Sequence, residues 1–286
     1  KKIYVKSDEL ETITEDYSNL KYYNDYGGFT EDGLEYKIKV STNNKLPTVW
    51  SNILSNPHFG TLITQNLGGF TWSQNSRLNR ISAWNNSPNI DIPSEIIYIK
   101  NKETGEYWSL CENVTQNPQE YYLTYGFGYV IEKTIKNQII QEIESFVAKE
   151  NKVKINILKL SNTSGEKKIL KILYYIKPVL GEDEIKTNGY INVNMENNVV
   201  TAENLYTDSF KNDIVYCGSS ERIKSFTGSK ETFIDEGDIE NPKAINKVNL
   251  GDESGLGENS CIALEVEAEL NGYESKEIVL FLGEED

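Results

Sequence analysis

Histidine is nearly missing from this sequence: its 286 residues include one, His58. A two-histidine metal site therefore cannot form, and any Ser-His-Asp or Cys-His centre would have to be built on that side chain. It stands in Asn56-Pro57-His58-Phe59-Gly60, among turn residues and an aromatic, and reads as structural or as a surface polar group. Cysteine is scarce as well. Cys111, Cys217 and Cys261 are far apart and odd in number, with no CxxC pair and no disulfide framework, so buried free thiols are expected. Also missing are an apolar run of about 18 residues that could span a membrane, a signal peptide and a GxxxxGK(S/T) phosphate loop. Gly126-Phe127-Gly128 is no substitute, because it lies inside a strand-like, tyrosine-rich run with no helix after it. Basic residues are in deficit, 29 against 44 acidic, for a net charge of −15. A nucleic-acid backbone or an anionic bilayer would be repelled, so no nucleic acid and no direct membrane contact are expected, and the acidity serves solubility. The chain starts at Lys1 and its one methionine is Met195, as expected of a piece trimmed or excised from a longer chain.

What is present is β-forming. Residues 1–20 are polar and weakly patterned and read as an N-terminal tail or linker; 21–286 read as one domain. From Leu34 onward apolar residues recur with period two, which places side chains on alternate faces of a strand. Leu34–Val40, Glu95–Lys100, Tyr121–Lys133, Val153–Ile157, Lys168–Lys177, Ile262–Leu270 and Lys276–Leu282 are the strand candidates. Turn-forming clusters such as Asn162–Gly165 and Asn271-Gly272 punctuate them, which predicts an all-β sandwich or barrel. In Asn137–Glu150, Ile139, Ile143, Phe146 and Val147 follow helical spacing, yet the segment runs directly into Val153 and is assigned as strand. Glu265, Glu267 and Glu269 alternate along one strand and read as a solvated face, and Asp235–Asp238 lacks EF-hand spacing and reads as a solvated turn. Residues 66–93 and 228–258 break the alternation and are predicted to be long surface loops, where function commonly sits.

The first of these carries the positive signal. Sugars present apolar C–H faces, on which flat aromatic rings stack, and a rim of hydroxyls that amides and guanidiniums can hydrogen-bond. Trp72 and Trp84, together with Asn75, Arg77, Asn79, Arg80, Asn85 and Asn86, supply both kinds of group. The residues alone fit equally a loop packed on itself, with Arg77 and Arg80 paired to nearby acids.

The same stretch resembles a known family. Gly27-Gly-Phe-Thr-Glu-Asp-Gly-Leu-Glu-Tyr36 is similar to a G-G-F-x-x-D-G-x-E-Y opening, and Pro47–Trp50, Asn52 and Asn56–Gly60 to a P-x-P-W-x-N-x-x-x-N-x-x-F-G stretch, with Thr48-Val49 at its second proline step. Thr71–Pro88 resembles T-W-x-x-N-S-R-x-N-x-x-T-P-W-x-N-D-P, with Ser82-Ala83 for Thr-Pro and Asn86-Ser87 for Asn-Asp. Glu103–Ser109, Gly126–Tyr129, Leu160–Gly165, Val179–Gly181 and Phe281–Glu284 follow in the family's order, so the resemblance covers about residues 22–286. The family is glycoside hydrolase family 94, of the cellobiose phosphorylase, 1,2-β-oligoglucan phosphorylase and cyclic β-1,2-glucan synthase type.

The resemblance implies an antiparallel β-supersandwich related to galactose mutarotase, with few short helices. In complete members an (α/α)6 catalytic barrel follows, whose aspartate protonates the glycosidic oxygen while phosphate attacks the anomeric carbon with inversion. On that basis this chain holds no catalytic residue, metal or cofactor, and inorganic phosphate is a co-substrate of the parent enzyme if that is a phosphorylase. Its expected partners are its own helical catalytic domain, a glucan oligosaccharide (β-1,2-linked on the resemblance) and a second copy in a homodimer. Trp72, Asn75, Arg77, Asn79, Arg80, Trp84 and Asn85 are the rim candidates. The implied location is cytoplasmic, or at the inner membrane for a synthase parent. The alternative is a stand-alone carbohydrate-binding module.

Overall fold

Strands form where β-branched and aromatic residues alternate with polar ones, and the hairpins close at Gly, Asn and Asp positions that accept positive φ. Asn137-Gln138 (φ 54° and 58°) and Asn197-Asn198 (51° and 67°) make two such turns. A computed structural model of the chain describes residues 11–41, 44–85, 87, 91–115, 119–206, 210, 212–256 and 259–285. Among these residues, the eleven-stranded sheet runs Gly27–Phe29, Tyr36–Ser41, Glu120–Tyr125, Tyr129–Lys136, Ile139–Val147, Val153–Asn162, Ser275–Glu285, Ile214–Ser219, Val199–Asn204, Ile191–Glu196 and Gly255–Leu256. A second sheet runs Ser225–Ser229, Ser260–Leu270, Lys168–Ile176, Glu95–Asn101 and Tyr107–Ser109. The third runs Pro178–Gly181, Arg80–Ser82, Gly69–Ser73, Phe59–Thr64 and Ser51–Ser55. Every pairing between these strands is antiparallel, and the helices are short: Glu112–Thr115, Glu184–Thr187 and Lys230–Ile234.

The main core lies where the large sheet faces the two smaller ones. Ile143, Leu158 and Leu280 come from the first, Ile99, Ile172 and Val266 from the second, Phe59 and Ile81 from the third. A second layer, built on the outer face of the Lys168–Ile176 sheet, corrects the prediction for 228–258. Phe233, Ala244, Ile245 and Leu250 from that segment are buried against Tyr98, Leu173, Tyr175 and Cys261. A strand covered on both faces loses its alternation, which is why Lys168–Ile176 reads as nearly continuous apolar sequence. Within the segment, Asp235 ends the helix Lys230–Ile234, and Asp238 accepts the N–H groups of Glu240 and Asn241.

Three more expectations need correction. Residues 66–93 are not one loop, since they contain the strands Gly69–Ser73 and Arg80–Ser82. Gly126–Gly128 is the turn between two strands rather than strand interior, with Gly128 at φ 96°. Glu265 is buried, its carboxylate 3.1 Å from the Lys171 ammonium, whereas Glu267 and Glu269 do stay toward solvent, paired with Lys102 and Lys167. The three thiols are free and buried. Among the described residues no helix is long and apolar enough to cross a membrane.

Residues 1–10 of the segment read as a tail lie outside the described residues. The remainder is tied to the large sheet: Glu15 pairs with Lys133 at 2.8 Å, and the Tyr17 hydroxyl donates to the Ile38 carbonyl at 3.0 Å.

Candidate functional site

The strand Gly69–Ser73 sets the site by its parity. Thr71 and Ser73 point into the sandwich, and Phe70 and Trp72 point to the opposite face. On the inner side the hydroxyls of Thr71 and Ser82 donate to Glu95 Oε1 at 2.6 and 2.7 Å, and the Lys154 ammonium reaches Glu95 Oε2 at 2.9 Å. Burial pushes the Glu95 carboxyl up, but the Lys154 charge and the hydroxyl donors outweigh it and hold the group below the usual carboxylate range. This is a closed, internally paired cluster.

On the outer side the aromatics gather. Trp84 stacks on Phe70 with ring centroids 4.6 Å apart and planes 17° off parallel, and Trp72 lies 5.1 Å from Phe70, tilted by 37°. The Arg80 guanidinium sits 5.8 Å from the Phe70 ring and 5.9 Å from that of Trp84, within cation–π range. Trp72 can lie along the sheet because its cross-strand partner is Gly60; a Cβ there would stand 2.4 Å from the indole. Trp72, Arg80 and Trp84 are each part-buried, so the shelf they form with Phe70 is seated on the sheet and open on its remaining side.

The connection between the two strands is a tight tip. Asn75 Oδ1 accepts the N–H groups of Arg77 and Leu78 at 3.0 and 2.9 Å, which fixes the turn and uses up that side-chain oxygen. Arg77 projects, its side chain 78% exposed and 3.6 Å from Glu182, an ion pair that water screens and that adds little to stability. Asn79 turns inward instead and donates to Glu284 Oε2 at 2.9 Å. Asn85 is exposed, and Asn86 falls outside the described residues. Of the seven rim candidates, then, three meet around Phe70, two form the tip, one is exposed beyond the shelf and one is buried.

Behind the tip the sandwich opens into a cleft of about 480 Å³ lined by His58, Glu150, Asn151, Lys152, Tyr216, Glu284 and Glu285. It lies where Val153–Asn162 begins, where Ser275–Glu285 ends and where Ile214–Ser219 starts. Glu284 is the residue that sequence reasoning passed over. Its strand buries Ile278, Leu280 and Leu282 at every second position, and Glu284 continues that inward series as a carboxylate. Burial pushes its acid up, opposed by the nearby Ser73 hydroxyl and the Asn79 amide. The signal was available in Phe281-Leu-Gly-Glu284, where the parity of the preceding leucines assigns the glutamate to the core face. Phe70, the hub of the aromatic shelf, left no comparable sign in the sequence.

Residues 34–286 match the family model described as glycosyl hydrolase 94, supersandwich domain. The cyclic β-(1,2)-glucan synthase NdvB of Rhizobium meliloti (strain 1021) is 24% identical over 286 residues, covering 98% of this chain and 10% of that protein. The N,N'-diacetylchitobiose phosphorylase of Vibrio furnissii is 25% identical over 269 residues, covering 90% of this chain and 33% of that protein. The chain thus spans a tenth to a third of the length of these relatives. In fold it is similar to the crystal structure of an Escherichia coli K12 protein assigned as an aldose 1-epimerase, with a TM-score of 0.51, 9% identity, and coverage of 83% of this chain and 99% of that one. The expected mutarotase-like, antiparallel supersandwich is what the strands form.

Proposed function

Since the chain belongs to the glycosyl hydrolase 94 supersandwich family, we propose that it is the non-catalytic β-sandwich module of a glycoside phosphorylase or glucan synthase acting on β-linked glucans. In this reading a helical catalytic domain performs the bond exchange, with inorganic phosphate as co-substrate in a phosphorylase. The module packs on that domain and lends its tip to the rim of the substrate site or to a homodimer interface. The observation that carries the reading is the projecting tip: Asn75 holds its backbone, and Arg77 and Leu78 stand 78% and 47% exposed at its end. Beyond the exposed pairing of Arg77 with Glu182, this leaves a guanidinium and a leucine on a fixed turn within reach of a partner surface.

The test uses the longer enzyme that contains the module, assayed for sugar 1-phosphate release from β-1,2-linked and other β-linked gluco-oligosaccharides. Arg77→Ala and Trp72→Ala are expected to raise KM several-fold. Unchanged kinetics in both would take this face out of the substrate site. The aromatic shelf favours one second reading, a stand-alone carbohydrate-binding module. That reading requires calorimetric binding of β-1,2-glucan to the isolated chain that is lost in Trp84→Ala.

A further inference from the structure

The large sheet has a second face that neither the core nor the rim reading uses. Its Ile143, Leu158 and Leu280 meet the two smaller sheets, so the residues between them on the same strands point the other way. An antiparallel sheet with one face in water carries polar residues on that face. This one does not. Val153, Ile155 and Ile157 fill three successive outward positions of one strand, and Val279 and Phe281 two of the next. The cross-strand register joins them into rows, Phe146 beside Ile155 beside Phe281, and Ile157 beside Val279. Neighbours in such a row stand about 5 Å apart, which makes the rows one continuous apolar surface. All of these side chains are partly exposed.

Part of this face is covered from within the chain. Residues 11–17 cross it at Tyr122 and Lys133, with Glu15 on Lys133 and the Tyr17 ring 6.1 Å from that of Tyr122. The apolar rows lie beyond that covered part, further along the sheet. Phe281 lies low there, because its cross-strand partner is Gly218, where a Cβ would come within 2.4 Å of the ring. A flat apolar sheet face buries itself against another layer, of helices or of strands. Charge selects the occupant. Glu144 stands between Ile131 and Ile157 in the middle of the face, with no ion pair among the described residues. A second copy related by a two-fold axis would set the same carboxylate, and a net charge of −15, against it. The surface that fits has apolar side chains for the rows and a lysine or arginine opposite Glu144. The chain covers 33% of one relative and 10% of another, so most of each relative lies beyond the matched region.

We propose that this outer face is the seat of the helical domain of the longer enzyme, with apolar side chains of a helix layer covering the two rows and a basic residue meeting Glu144. The inference rests on the module reading above and gives it a contact surface at residues other than the tip.

The three native thiols are buried, so a cysteine placed on this face reports whether it is covered. Ile157→Cys and Val279→Cys, the second close to isosteric, are made in the longer enzyme and in the 286-residue chain, and the rate of labelling by a thiol reagent is measured in both. Labelling at each position is expected to be at least ~10-fold slower in the longer enzyme. Val248→Cys, at a position 94% exposed in the segment that covers the second sheet, is expected to label alike in both forms. Glu144→Lys is expected to speed labelling of Val279→Cys in the longer enzyme about 3-fold or more, since it sets like charges together, and to leave the rate in the 286-residue chain unchanged. Equal rates in the two forms at both positions overturn the proposal. So does slow labelling in the 286-residue chain that deepens with its concentration, which would make a second copy the occupant. Exposed thiols alongside a raised KM for Arg77→Ala would remove this seat and leave the rim reading standing. Slow thiols with unchanged KM in Arg77→Ala and Trp72→Ala would remove the rim role and keep the seat.

Discussion

Replacing Lys154 by methionine isolates the cluster that joins the sheets at Glu95. The ammonium lies 2.9 Å from Glu95 Oε2, and the two side chains are 8% and 9% exposed. Removing one partner of such a pair leaves a charge in the core, at a cost of about 3–5 kcal/mol. Thr71 and Ser82 still donate to Oε1, which places the expected loss near the lower end, at about 3 kcal/mol. In a chain of this size that corresponds to roughly 6–10 °C in Tm. The sign of the pH dependence is a sharper test. In the wild type Glu95 is held below its ordinary value, so its contribution is present above the unfolded-state pKa and fades as pH falls through the folded one. Without Lys154, burial prevails and the folded value rises above the unfolded one. The remaining contribution is then complete below the unfolded pKa and is lost as pH rises, so the penalty of Lys154→Met is largest near pH 7 and shrinks toward about pH 5. Guanidinium unfolding of both proteins across that range, followed by tryptophan fluorescence, gives the difference directly. A penalty under about 1 kcal/mol, or one that grows on acidification, would refute the assignment of Lys154 as the counter-charge of Glu95. The double variant Glu95→Gln/Lys154→Met is expected to regain most of the loss, since it removes the stranded charge.

Gly60→Val would drive a methyl into the Trp72 indole, and should cost about 1–3 kcal/mol and alter tryptophan emission, as measured by thermal melting with fluorescence detection. Asn79→Ala withdraws the amide bonded to Glu284 Oε2 and should cost about 1–3 kcal/mol. Because Glu284 is already pushed up by burial and this change pushes it further, that loss should deepen as pH rises through the folded value, which denaturation at several pH values will show. Burial raises all three cysteine thiols, so a thiol reagent should label none of them in the native chain over minutes and three per molecule after unfolding.

The elements visible in the sequence were those whose inward residues are apolar, and the parts that escaped it have polar residues facing in. Val153–Asn162 and Ser260–Leu270 show their period at once. Ile139–Val147 did not, because two of its inward positions are Gln141 and Ser145, so the apolar residues alone follow a helical spacing. Those two polar groups are paired in the core, Gln141 with the Trp108 indole N–H at 2.8 Å and Ser145 with Asn156 at 2.7 Å. Gly69–Ser73 was hidden for the same reason. Its inward residues are Thr71 and Ser73, buried to serve Glu95 and to stand beside Glu284, and a hydroxyl facing a buried carboxylate is indistinguishable in the sequence from one facing water. The family motifs do not state which face each residue takes, so by sequence Asn79 stands among the rim candidates although its amide is spent on Glu284.

Glu95 and Glu284 differ in how their buried charge is compensated. Glu95 has donors on both oxygens and a lysine at 2.9 Å, which is the pattern of a group that locks two sheets together. Glu284 has the Asn79 amide on one oxygen, the Ser73 hydroxyl beside it and the Lys152 ammonium 3.8 Å from the other oxygen. A core carboxylate retained for stability alone would be expected to resemble the first, because each unsatisfied lone pair in the interior adds to the cost of folding. The opposite directions of their acids follow from this: the Lys154 charge and the hydroxyl donors hold Glu95 down, while burial prevails at Glu284 and leaves it raised.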